Sequence, residues 1–159
     1  MRSPYLLKFF SKFHIAFGGV FLVPLLVELI YETDLELDML LPWLMPAAIM
    51  GALGFYLHQK YLKDYAEEDL PGLSRREGFL LVGLSWTLMI AWGTIPFLFT
   101  EPHLDLASAI FESASGFTTT GATVLTDIEA APKSILLWRS LSHWIGGMGI
   151  IVLSVAILP

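Results

Sequence analysis

The run Phe111-Glu112-Ser113-Ala114-Ser115-Gly116-Phe117-Thr118-Thr119-Thr120-Gly121-Ala122-Thr123-Val124 sets hydroxyl residues around one glycine between two long apolar segments. It is too polar to cross lipid and too rich in small residues for an ordinary solvated loop. Irregular backbone at membrane depth persists only where it is buried in protein or lines a water-filled path. Backbone carbonyls from loops of this kind replace the hydration shell of a cation. The chemistry implied is ion coordination by the main chain.

Local elements must hold such a loop in place. Asp105 is a good N-cap for a helix over Leu106 to Ser115. Ten residues rise about 15 Å, roughly half a hydrocarbon core, so this helix must end in protein or water. Gly116 stands where a left-handed C-cap glycine is expected. The helix C-terminus then carries about half a negative charge toward a waiting cation. Thr118 to Ala122 are expected to follow in extended form. Gly121 is free to take positive φ and aim successive carbonyls at an axis, while the threonines, stiff at χ1, anchor the strand through their hydroxyls. Asp127 and Glu129 return the chain to the outer surface, and Pro132 suits the first turn of the next helix.

The surrounding chain reads as membrane-embedded. Of 159 residues 55% are hydrophobic, and the mean hydropathy is +0.67, above soluble-domain usage. Four apolar stretches are long enough to span a bilayer: Phe13 to Tyr31, Leu40 to Leu62, Gly78 to Phe99 and Ser134 to Leu158. The first is too long for a signal-peptide core and lacks a small-x-small cleavage site. Absence of cysteine excludes disulfides and thiol chemistry. A net charge of −6 with no basic stripe argues against nucleic acid. Arg2, Lys8, Lys12, Lys60, Lys63, Arg75 and Arg76 fall on one side, which the positive-inside rule makes cytoplasmic. Lys133 and Arg139 fall on the other side and count mildly against that assignment. The expected divisions are 1–62, two accessory spans; 63–77, a charged cytoplasmic linker; and 78–159, a span, a re-entrant helix with its loop, and a span. The fold class expected is an all-α membrane protein of four transmembrane helices, with a re-entrant pore helix and extended selectivity-filter loop between the third and fourth.

Ser115-Gly116-Phe117-Thr118-Thr119-Thr120-Gly121-Ala122-Thr123, with Trp138-Arg139, the run from Trp144 to Pro159, and Arg76-Glu77-Gly78-Phe79, resembles Trk-type potassium uptake proteins of the Trk/Ktr/HKT superfamily. The resemblance covers essentially the whole chain and is strongest from Arg75 onward. It implies two extra N-terminal spans followed by four span–loop–span units around a pore, of which this chain carries the first. It further implies that carbonyls of Thr118, Thr119, Thr120 and Gly121 coordinate K⁺, with Thr119 and Thr120 foremost, and that Ala122 supports the filter. Implied partners are membrane lipid, the remaining pore units in the same chain or a homo-oligomer, and a cytosolic nucleotide-binding Trk regulatory subunit, all at the cell inner membrane. The three further units that the resemblance implies are not among these 159 residues. The last span stops at Leu158-Pro159 with no polar anchor, so a portion truncated after its first unit is expected. A lone monomer of this kind is not expected to conduct.

Other residues carry narrower expectations. Glu112, an ionisable group at membrane depth, calls for a partner, and Arg139 is the candidate, the pair supporting the filter. The alternative for Glu112 is a solvated face toward the outer vestibule. Gly146, Gly147 and Gly149 read as close-packing positions rather than a gate, and Gly18, Gly19 and Pro24 as packing and kinking devices. Trp86, Trp92, Trp138 and Trp144 read as interfacial or lipid-facing bulk. His14, His58 and His103 read as interfacial. A rival reading makes Ser115 and His143 an intramembrane serine-protease dyad, which needs a hydroxyl–imidazole contact. A third reading is a non-conducting fragment or assembly protein.

Overall fold

The computed structural model describes residues 3–32, 35–61 and 75–157, and these are all-helical with no strand. Six helices follow in order: α1 (Ser3–Val20), α2 (Leu22–Tyr31), α3 (Leu37–Tyr61), α4 (Arg75–Phe99), α5 (Leu106–Phe117) and α6 (Lys133–Ile157). Among the described residues, three stretches are long and apolar enough to cross a membrane: Leu6–Tyr31, Leu37–Tyr61 and Arg76–Phe99. Most of the expected linker at 63–77 lies outside the described residues, as do Leu158 and Pro159; Arg75 to Glu77 open α4.

The first expected span is one path broken at Phe21 into α1 and α2. Pro24 has no N–H to give the Val20 carbonyl, and its ring crowds that turn, so the helix is interrupted a turn before the proline. A Phe21 N–H to Gly18 carbonyl contact of 3.3 Å tightens the break. Prolines 42 and 46 lie inside α3 and Pro96 inside α4 without ending either helix. Neighbouring helices re-satisfy freed backbone groups in membrane proteins.

In lipid no hydrophobic force drives helix against helix, so close packing, small residues and interhelical hydrogen bonds must do it. The α1–α3 pair shows each of these. Ser11 Oγ donates to the Gly54 carbonyl at 2.8 Å. A Cβ at Gly54 would lie 2.7 Å from the Ser11 carbonyl, and one at Gly18 would lie 3.1 Å from Met50 Cβ. Gly19 faces open space and is no packing device. His14, expected at an interface, is buried instead, with Nδ1 2.6 Å from the Phe10 carbonyl. That bond satisfies the ring inside its own helix.

The α1–α2–α3 assembly meets the rest of the chain through an aromatic cluster. Phe17, Phe21, Trp43, Phe117 and Trp138 are all buried. Ring centroids lie 5.7 Å apart for Phe17–Phe117, 4.5 Å for Phe21–Trp138 and 5.9 Å for Trp43–Trp138. Offset and edge-to-face pairs at such distances are favourable beyond simple burial. The expectation that Trp138 is lipid-facing bulk is therefore overturned. Its ring is 0% exposed, and its Nε1–H donates to the Gly93 carbonyl at 3.1 Å. Trp144, 62% exposed, matches the expectation.

Candidate cation-coordinating site

The short helix α5 has 12 residues and is about 18 Å long. Asp105 caps it as the sequence predicts. Its Oδ1 accepts the Ala107 and Ser108 N–H groups at 3.0 and 3.1 Å, and its Oδ2 the Ser108 hydroxyl at 2.7 Å. The bond from the Ser108 side chain, then that from its N–H, holds the Asp105 carboxyl below the usual carboxylate range.

The other end departs from expectation. Gly116 is not a left-handed cap, and α5 continues through it to Phe117. The left-handed residue is Thr119, at φ 58°. The Thr120 N–H reaches the Ser115 carbonyl at 2.9 Å, and the Thr119 N–H the Gly116 carbonyl at 2.9 Å. Those two bonds form a Schellman motif centred on Thr119. Gly116 is small for another reason, since a Cβ there would overlap the Ser142 hydroxyl of α6. Thr118 to Ala122 are accordingly not a simple extended strand, because a left-handed turn precedes Gly121, itself at φ 77°. A β-branched residue at positive φ is costly and persists only where its surroundings over-determine it.

Those surroundings are visible around the loop. Thr118 Oγ1 donates to the Ala114 carbonyl at 2.7 Å and lies 2.8 Å from Thr120 Oγ1. Ser115 Oγ donates to the Ala122 carbonyl at 2.6 Å. The Trp86 indole N–H donates to the Phe117 carbonyl at 3.2 Å. Between those two held carbonyls, the carbonyls of Thr118, Thr119, Thr120 and Gly121 accept no hydrogen bond among the described residues. All four residues are exposed.

Glu112 and Arg139 meet below the loop exit. Glu112 Oε1 accepts the Thr123 hydroxyl at 2.5 Å and the Val124 N–H at 2.6 Å. Its Oε2 lies 3.1 Å from Arg139, whose guanidinium also donates to Thr123 Oγ1 at 2.8 Å. The carboxylate side chain is 1% exposed, so the solvated-face alternative is excluded. One acid thus ties α5, the loop and α6 together.

The glycines of α6 let that helix approach the loop. A Cβ at Gly146 would overlap the Phe117 carbonyl, and one at Gly149 would lie 2.6 Å from the Trp86 ring. At Gly147 the nearest atom would be Thr119 Cγ2, at 3.7 Å. Gly93 of α4 would push a Cβ into the Phe117 ring and the Ser113 hydroxyl.

The Ser115–His143 dyad is not formed. The Ser115 proton is engaged by the Ala122 carbonyl, and His143 Nδ1 lies 2.7 Å from the Arg139 carbonyl. Trp86, expected at the periphery, instead reaches the Phe117 carbonyl, and Ser115, which only the rival reading made a nucleophile, instead holds the Ala122 carbonyl. No local signal reveals the Trp86 contact, because Trp86 and Phe117 lie 31 residues apart on different helices.

A family model described as "TrkH: Cation transport protein" matches residues 44–159. The Trk system potassium uptake protein TrkH of Escherichia coli (strain K12) is 54% identical over 88 residues, covering 55% of this chain and 18% of that protein. TrkI of Halomonas elongata is 44% identical over 81 residues, covering 51% and 16%. The crystal structure of the potassium transporter TrkH from Vibrio parahaemolyticus superposes with a TM-score of 0.79 at 35% identity, covering 100% of this chain and 32% of that one. The matches thus take in about a sixth to a third of the length of these proteins. With three stretches able to cross a bilayer among the described residues and a family match over most of its length, this multi-pass membrane chain belongs to the TrkH family of cation transport proteins.

Proposed function

We propose that this chain supplies one of four filter-bearing units of a K⁺ uptake pathway in the cell inner membrane. The observation that carries the reading is the half-span helix α5 delivering four unclaimed carbonyls, Thr118 to Gly121, between two 25-residue helices, α4 and α6. In this reading α6 is the fourth span, α5 is a re-entrant pore helix, and the N-terminus is cytoplasmic, as the positive-inside rule favours. K⁺ sheds water and takes carbonyl oxygens in its place, foremost those of Thr119 and Thr120. The C-terminal end of the α5 dipole, about half a negative charge, favours the cation over an anion. Glu112 and Arg139 hold the loop exit, and Ala122 ends the coordinating run. Residues 1–62 form two accessory spans that buttress Phe117 through Phe17, and 63–77 is a cytoplasmic linker.

One unit contributes about a quarter of the coordinating ring, so transport needs three more units, from further chain or from other copies. The relatives' printed names, potassium uptake proteins of a Trk system, support K⁺ as substrate. A cytosolic nucleotide-binding regulatory subunit is the partner the resemblance implies. Because the family is one of transporters, catalysis forms no part of the reading.

The test is a chimera in which the 159-residue chain replaces the matching 32% of the V. parahaemolyticus transporter. It is expected to restore growth at limiting K⁺ to cells lacking K⁺ uptake, and Gly121→Ala, at φ 77°, is expected to abolish it. Growth equal in the two chimeras would refute the assignment. Light scattering of the chain alone in detergent, corrected for micelle, separates a self-assembling tetramer from a unit that needs foreign partners.

A further inference from the structure

We propose that Trp86 and Ser115 are positioning residues that set the two ends of the carbonyl ladder and thereby the cation selectivity of this unit. The inference rests on the functional reading above. Phe117 is the last residue of α5, so its carbonyl is one of the orphans every helix C-terminus leaves. It is also the carbonyl immediately before Thr118. Trp86, 31 residues earlier on α4, supplies its donor through the indole N–H. At the opposite end, Ala122 immediately follows Gly121, and its carbonyl is held by the Ser115 hydroxyl. Trp86 and Ser115 therefore bracket the four carbonyls that no donor claims.

The partition has a chemical consequence. A carbonyl that already accepts a hydrogen bond has a fixed direction and one lone pair engaged, so it is the poorer ligand for an ion. The unclaimed carbonyls keep both lone pairs. Losing the Trp86 donor leaves the Phe117 carbonyl free to turn and compete. Losing the Ser115 donor does the same at Ala122, and either change alters the number and aim of the oxygens offered. One of the two accounts of carbonyl filters derives selectivity from that number and field strength.

The contacts leave little slack. The Trp86 ring would be struck by a Cβ at Gly149, and the Phe117 carbonyl by one at Gly146, so α6 closes on both partners of the upper bond. Ser115 is buried, and the Ser115 carbonyl is also the acceptor for the Thr120 N–H. One residue thus holds the loop at two points.

The same chimera tests the idea, read as the ratio of Rb⁺ to Na⁺ uptake. Trp86→Phe keeps a ring and removes the donor; Ser115→Ala removes the hydroxyl and Ser115→Thr restores it. Trp138→Phe is the matched control, since it keeps a ring packed on that of Phe117 and deletes an indole-to-carbonyl bond, 3.1 Å to Gly93, whose acceptor is not part of the ladder. Trp86→Phe and Ser115→Ala are each expected to lower the ratio about fivefold, the worth of one net hydrogen bond. Ser115→Thr is expected to recover it, and Trp138→Phe to leave it unchanged while lowering thermal stability. A selective chimera whose ratio is unmoved by Trp86→Phe and Ser115→Ala, or is moved equally by Trp138→Phe, would overturn this inference alone. An unsubstituted chimera that takes up neither ion would overturn it together with the functional reading. If Trp86→Phe does not reach the membrane, the Ser115→Ala and Ser115→Thr pair decides.

Discussion

Replacing Glu112 by glutamine changes one atom and should destabilise the chain more than any other isosteric substitution near the loop. The carboxylate receives three donors: the Thr123 hydroxyl at 2.5 Å and the Val124 N–H at 2.6 Å on one oxygen, and the Arg139 guanidinium at 3.1 Å from the other. An amide has one oxygen to offer. If that oxygen faces Thr123 and Val124, the NH₂ group confronts the guanidinium, donor against donor. If it faces Arg139, the NH₂ group confronts the Val124 N–H. Neither orientation avoids a mismatch, and the side chain is too buried for water to repair it. Breaking a buried ion pair by removing one partner costs about 3–5 kcal/mol. Glutamine keeps part of the hydrogen bonding, so a loss of about 3 kcal/mol is expected, with Glu112→Ala toward the upper end. The measurement is reversible unfolding of the detergent-solubilised chain, followed by tryptophan fluorescence, for Glu112→Gln, Arg139→Gln and the double variant. Because Arg139 and Glu112 share Thr123, the two single losses should not add. The double variant should recover about 1 kcal/mol or more relative to their sum. Additive losses, or a Glu112→Gln loss too small to measure, would show that the clamp contributes nothing. Unchanged expression and K⁺ uptake in the Glu112→Gln chimera would remove its role in supporting the loop.

Three further outcomes follow from the geometry. Gly146→Ala drives a methyl group into the Phe117 carbonyl and should cost about 1–3 kcal/mol; Gly147→Ala, whose nearest neighbour is 3.7 Å away, should be tolerated, and both are read from the same unfolding assay. Thr119→Gly removes a β-branched residue from φ 58° and should raise the unfolding midpoint by the equivalent of about 1 kcal/mol, whereas no gain would mean the left-handed turn is unstrained. Asp105 has a folded pKa below its unfolded value, so its contribution is fully present above the ordinary carboxylate pKa and is lost as pH falls toward the folded value. Wild-type stability minus that of Asp105→Asn should therefore shrink between neutral pH and pH 3, and a difference that stays constant would refute the charged cap.

Much of the site was legible in the residues themselves, and the reason is local. Asp105 before an apolar run is a capping signal that needs no tertiary information, and it marks the start of α5 correctly. Gly121 takes the positive φ expected of it. Glu112 demanded a partner because charge at membrane depth is costly, and Arg139 stood within the apolar stretch that follows the loop. Gly116 misled for an equally local reason. A glycine at a helix end resembles a left-handed cap, but here the helix end was set by which residue could complete the Schellman bonds, and the glycine was reserved for the approach of Ser142.

Sequence by itself determined the helices, the polar loop between them and the chemistry that loop could offer, because capping, apolar length and backbone freedom are properties of neighbouring residues. Tertiary structure alone decided which tryptophans are core, which carbonyls are held and which stay free. In a membrane the lipid-facing and protein-facing sides of a helix are both apolar, so periodicity does not announce the buried face. Trp86 and Trp138 look alike in the chain; only the crossing of α4, α5 and α6 sends one indole N–H to Phe117 and the other to Gly93.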